Sequence, residues 1–77
     1  MMNIGEAIDA IRKEMLEARE RFPAFRSPHE GLAIIQEEFE ELKGEVFKHH
    51  ASRSLDRLRE EAKQLGAMAL RFMMDLT

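Results

Sequence analysis

Seventy-seven residues with a formal net charge of −3 and 35% charged side chains allow one small domain, and they argue against a broad electrostatic grip on nucleic acid or anionic lipid. There is no cysteine, which excludes a disulfide framework and a thiolate metal site, and with five Phe but no Trp or Tyr a base-stacking platform is not expected. A core of this length is marginal by itself, so oligomerisation is expected before any motif is read.

The N-terminus MMNIGEAIDAIRKEM carries charges where the apolar core of a secretory leader would fall. No run approaches the roughly 20 apolar residues of a membrane span. The expected setting is cytoplasmic, with no membrane partner.

The spacing predicts a first helix over about residues 4–21. Asn3, with Glu6 three positions on, is a capping arrangement. Ile4, Ile8, Ile11, Met15, Ala18 and Phe22 recur at steps of four and three, forming an amphipathic stripe. Arg12, Lys13, Glu17 and Glu20 fall on the opposite, wet side. The segment FPAFRSP then breaks the helix.

Ser27-Pro28-His29-Glu30 starts a second helix, expected over about residues 28–48. Ser27 caps, Pro28 fits the first helical position, and Glu30 completes a capping box. Leu32, Ile35, Phe39, Leu42 and Val46 form its apolar stripe. After the connection KHHASRS a third helix is expected over about residues 54–76. Its second half, LGAMALRFMMDL, is apolar almost all round, as in a helix buried on most sides. Nothing alternates with period two, so the expected class is all-α: a three-helix protomer that assembles into a helical bundle by dimerisation or tetramerisation.

Glu37, Glu38, Glu40 and Glu41 crowd around one turn of the second helix. Like charges at such spacing repel by a few tenths of a kcal/mol per pair. At about 100° per residue, Glu38, Glu41 and Glu45 share a flank beside the apolar stripe, while Glu37 and Glu40 point further round. On the third helix Glu61, Gln64, Met68, Arg71 and Asp75 follow a 3-4-3-4 spacing, a narrow polar strip on an otherwise apolar helix. Buried charges must be paired or bound to a metal. Oxygen donors from two helices suit a hard cation, Mg²⁺ or Mn²⁺. The residues alone leave two other readings open: a solvated glutamate face, and a salt bridge from Glu61 to an arginine of another helix.

The order Glu-Glu-x-x-Glu, an interval of some twenty residues, then Glu-x-x-Gln and an apolar run resembles the all-α nucleoside triphosphate pyrophosphohydrolases of the MazG-like superfamily. The motifs are Glu37-Glu38-Phe39-Glu40-Glu41 and Glu61-Ala62-Lys63-Gln64 before LGAMALRF, within about Ser27 to Leu76. The resemblance implies Glu38, Glu41 and Glu61 as metal ligands, with Gln64 in the fourth ligand position. It places Glu37 close behind them, with Glu37 or Glu38 taking a proton in catalysis. It implies Mg²⁺ (or Mn²⁺), hydrolysis of a nucleoside triphosphate to the monophosphate and pyrophosphate, and a site where helices of paired subunits meet. The family carries Asp where this chain has Gln64, so one unit of negative charge is missing. The alternative is a catalytically weak or inactive relative acting as an interaction or regulatory module.

Arg71 has two readings, a phosphate or base contact and an ion pair with Glu61, Asp75 or a carboxylate of the second helix. Lys48, Arg53 and Arg57 are either receivers of the triphosphate or ordinary surface charges. For adjacent His49 and His50, interaction with the end of the second helix is favoured over zinc, because neighbouring side chains diverge. Met68, Met73 and Met74 read as core or interface packing before they read as a base pocket.

Overall fold

The computed structural model describes all 77 residues. It contains three α-helices and no strand: α1 (Ile4–Arg21), α2 (Pro28–Val46) and α3 (Leu55–Leu76), with a 3-10 turn at His50–Ser52. No helix is long and apolar enough to cross a membrane.

The helix starts follow local chemistry. At α1 the Asn3 side chain accepts from the Glu6 N–H at 2.8 Å, and Glu6 reaches back to the Asn3 N–H at 3.2 Å, closing the box. At α2 Ser27 Oγ accepts from the Glu30 N–H at 3.1 Å. Here the expected box does not close. Glu30 turns instead to Arg26, accepting from its backbone N–H at 3.2 Å and from Nε at 2.9 Å, because a guanidinium offers a charge-assisted bond. Ser54 caps α3 through the Arg57 N–H.

The second helix ends at Val46, two residues short of the expected boundary. The Lys48 N–H bonds to Glu45 O, an i−3 partner that tightens the last turn as the chain leaves. His49 Nδ1 then accepts from the Ala51 N–H at 3.2 Å, so this histidine caps the 3-10 turn.

α3 packs against both α1 and α2, which do not pack against each other. Met15 and Ala18 of α1, Phe25 of the first connection, and Ala67 and Met68 of α3 form the buried core. Ile11, Ile34, Ile35, Leu70, Phe72 and Leu76 pack around it, half-buried. Gly31 lets α2 approach α3 closely. A Cβ there would lie 2.6 Å from Phe72 Cδ2.

Much of the predicted apolar stripe stays outside. Ile4, Ile8 and Phe22 of the α1 stripe are exposed, as are Leu32, Phe39 and Val46 of α2 and Met73 and Met74 of α3. A third helix buried on most sides is therefore not what one copy of the chain supplies.

Candidate metal centre

Because α1 and α2 stand apart on α3, a cleft of about 590 Å³ opens between them. Glu14, Glu17, Ala18 and Arg21 of α1 form one wall. Glu30, Ile34, Glu37, Glu38 and Glu41 of α2 form the other. Gln64, Met68 and Arg71 of α3 make the floor, and Phe22, Pro23 and Phe25 close one end. Glu17, expected on the wet side of α1, is half-buried on this wall, since the cleft extends the interior beyond the apolar stripe.

Glu38 and Glu41 line the acidic end; Glu61 lies behind the lining, and one carboxylate oxygen from each of the three lies within 4.8 Å of the others. Helical geometry brings this about. Glu38 and Glu41 are three apart on one flank of α2, and that flank faces Glu61 on α3. The Glu41 carboxylate is the charge acting most strongly on both others. Glu61 is buried, Glu38 half-buried and Glu41 exposed. Glu38 Oε2 and Glu61 Oε2 are buried without a hydrogen-bond partner.

Electrostatics record the crowding. Burial, and then the neighbouring Glu41 carboxylate, push the Glu38 carboxyl up to about 7. Burial and Glu41 also raise the Glu61 carboxyl, against the opposing pull of Arg57. Neither Glu38 nor Glu41 has a basic partner within ion-pair distance, whereas Glu61 has Arg57 Nη2 at 3.5 Å.

The other residues singled out by sequence divide. Glu37 is exposed and lines the cleft beside the cluster. Gln64 also lines the cleft, but its amide nitrogen donates to the exposed Glu60 at 3.2 Å. Glu60 in turn holds Lys63 at 2.8 Å. Lys48 lies outside the cleft lining and pairs with the buried Glu45 at 2.8 Å. Glu45, although on the flank of Glu38 and Glu41, is thus engaged by Lys48 and by Arg57 at 3.5 Å.

Arg71 reaches the cleft floor, but its guanidinium is held from inside. It donates to Pro23 O, lies 4.3 Å above the Phe25 ring and has Nε 3.4 Å from Asp75. The ion-pair reading of Arg71 is the one its geometry follows. Asp75, 1% exposed at its side chain, also accepts from the Phe25 N–H at 3.0 Å and faces Arg19 at 3.5 Å. Met68 is core, and it also touches the cleft.

Six carboxylates and two guanidiniums line the cleft, so its field is acidic and disfavours an anion that arrives without cations. Comparison with family models, with curated proteins and with solved structures finds no match to this chain.

Proposed function

We propose that Glu38, Glu41 and Glu61 hold a divalent cation, Mg²⁺ or Mn²⁺, and that the chain is a nucleotide pyrophosphohydrolase of the MazG-like kind. One observation carries this reading: three carboxylates from two helices converge within 4.8 Å, and two of their buried oxygens lack any partner. Acidic groups do not gather in a half-buried place without a counter-charge at no cost. The donor set fits a hard cation, being oxygen only, with no sulfur or imidazole near it.

When bound, the cation would neutralise phosphate oxygens and acidify a water. The chain's own residues do the rest. Glu38 and Glu41 hold the cation from the acidic end of the cleft, with Glu61 behind them. Glu37, exposed beside them and not engaged by a basic side chain, is placed to take the proton of the attacking water. Gln64 contributes at most a carbonyl oxygen in place of a carboxylate, which predicts weak cation affinity without triphosphate. Lys48 and Arg71 already have internal partners and are not needed for the phosphates in this reading.

The exposed Leu32, Phe39 and Val46 fall seven apart on α2 and continue the stripe through half-buried Ile35 and Leu42. A second copy of the chain is the proposed cover, giving the bundle expected from the chain's size.

The test is release of pyrophosphate and nucleoside monophosphate from a panel of nucleoside triphosphates with Mg²⁺ or Mn²⁺, beside a Glu61→Gln variant. Sedimentation equilibrium would run alongside. Metal-dependent release lost in the variant supports the reading. Binding of cation and nucleotide without release supports the non-catalytic alternative, in which Gln64 has disarmed the site.

A further inference from the structure

The cluster has a neighbour that the proposed cation site does not use. Arg57 stands one turn before Glu61 on α3 and divides its guanidinium between two carboxylates. Nε lies 3.5 Å from Glu45 Oε2, and Nη2 lies 3.5 Å from Glu61 Oε1. Both distances are at the loose end of ion pairing. The first carboxylate oxygen already has Lys48 Nζ at 2.8 Å. Arg57 is 62% exposed at its side chain, whereas Glu45 is 3% and Glu61 10% exposed. Glu61 is also the only one of the three clustered carboxylates with a basic partner. An internal cation therefore already sits at the edge of the cluster, loosely held, on one oxygen of one ligand.

We propose that Arg57 is a built-in counter-ion of the cluster, which competes with a divalent cation for the charge of Glu61, so that this arginine sets the affinity of the site. The inference rests on the cation-site reading above. A cation on Glu61 draws on the charge that holds Nη2 and repels the guanidinium directly. Arg57 loses little by letting go. Glu45 Oε1 is buried with no hydrogen-bond partner, and Nε is already beside the other oxygen of that carboxylate. Moving Nη2 from Glu61 to Glu45 Oε1 completes a two-pronged arginine–carboxylate pair. Cation binding thus exchanges one loose bond for a better one at the base of the second connection.

The test is titration of Mn²⁺ alone, read by the electron paramagnetic resonance signal of the free ion. It compares the wild type with Arg57→Gln, Arg57→Lys and Arg53→Gln. Arg53→Gln makes the same change in net charge at a residue without an ion pair. Arg57→Gln is expected to bind Mn²⁺ about fivefold tighter, the size of one partly exposed ion pair. Arg57→Lys, which keeps the charge but lacks the fork, falls between the two and serves if the glutamine variant folds poorly. Arg53→Gln stays within twofold of wild type. Binding by the wild type with no gain in the Arg57 variants overturns the counter-ion while leaving the site. An equal gain in Arg53→Gln also overturns it, since charge alone then explains the effect. No binding by any variant overturns the site and the counter-ion together.

Discussion

The polar strip of α3 has two ends, and they handle buried charge in opposite ways. At the C-terminal end, Asp75 accepts from the Phe25 N–H, pairs with Arg71 and faces Arg19. Arg71 in turn holds Pro23 O and covers the Phe25 ring. Acid meets base, and the connection between α1 and α2 is fastened to the end of α3. At the N-terminal end, Glu61 meets Glu38 and Glu41, and acid meets acid. The first end sets opposite charges together within the chain and builds the fold, although Arg71 Nε and Asp75 Oδ1 make no hydrogen bond there. The second sets like charges together with no base on Glu38 or Glu41, the arrangement that the proposed cation would relieve. Polar spacing on a helix is the same for both; only the sign of the neighbours tells them apart.

The two ends differ most at Asp75. Replacing it by Ala leaves Arg71 buried without a carboxylate and the Phe25 N–H without its acceptor. Breaking a buried pair in this way costs about 3–5 kcal/mol. Urea denaturation should show a loss of that order, a large share of what a domain this small possesses. A change under about 1 kcal/mol, the worth of an exposed pair, would mean that the C-terminal end is no lock.

The two classes of carboxylate also predict opposite pH responses in chelator. Glu38, raised to about 7, and Glu61, raised as well, favour their protonated forms in the folded state. Their contribution is fully present below the unfolded value near 4.5 and is lost as pH rises through about 7. Lys48 depresses the Glu45 carboxyl, Lys63 that of Glu60 and Arg26 that of Glu30. Those contributions are present above 4.5 and are lost as pH falls. Melting temperature should therefore decline from the mildly acidic range to pH 8, and Glu38→Gln should flatten the decline. A melting temperature that rises steadily to pH 8 would show that the cluster is not strained.

A smaller effect compares the two faces of α3. Gly31→Ala places a Cβ 2.6 Å from Phe72 Cδ2 and 3.1 Å from Leu76 Cδ1, on a ring and a branch already packed. Gly66→Ala meets Ile11 Cδ1 at 2.9 Å, the free end of a flexible side chain. Alanine gains about 1 kcal/mol of helix propensity at either position. Overpacking of about 1–3 kcal/mol should outweigh that gain at Gly31. At Gly66 the result should be near neutral or stabilising. Thermal melts of the two variants check the contrast.

What was legible in the sequence was local. Asn3, Ser27 and Pro28 announce helix starts because capping needs only near neighbours. Glu38 and Glu41 converge because three residues nearly complete a turn, and the spacing of the polar strip on α3 singles out Glu61. Illegible was whatever depends on which element arrives opposite. Asp75 receives the Phe25 N–H across fifty positions of chain, and nothing in the strip itself says so. Gln64 turns to Glu60, an i−4 neighbour that competes with the cleft. Arg57 and Glu61, four apart, carried an available signal for an ion pair, obscured by reading Arg57 with the basic connection. The apolar run of α3 overstated burial because periodicity cannot say whether a neighbour belongs to the same chain.

On the proposed reading the acidic end of the strip is built for a cation and not for the fold. Urea denaturation of the wild type and of Glu38→Gln/Glu61→Gln at pH 8, each with chelator and with saturating Mn²⁺, tests it most directly. In chelator the double variant should be more stable by about 1 kcal/mol, after allowing for solvent screening of a half-buried charge. With Mn²⁺ at a hundred times its dissociation constant, the wild type should gain about 2.7 kcal/mol and overtake a variant that does not respond. A double variant less stable in chelator, together with a wild type indifferent to Mn²⁺, would contradict the account.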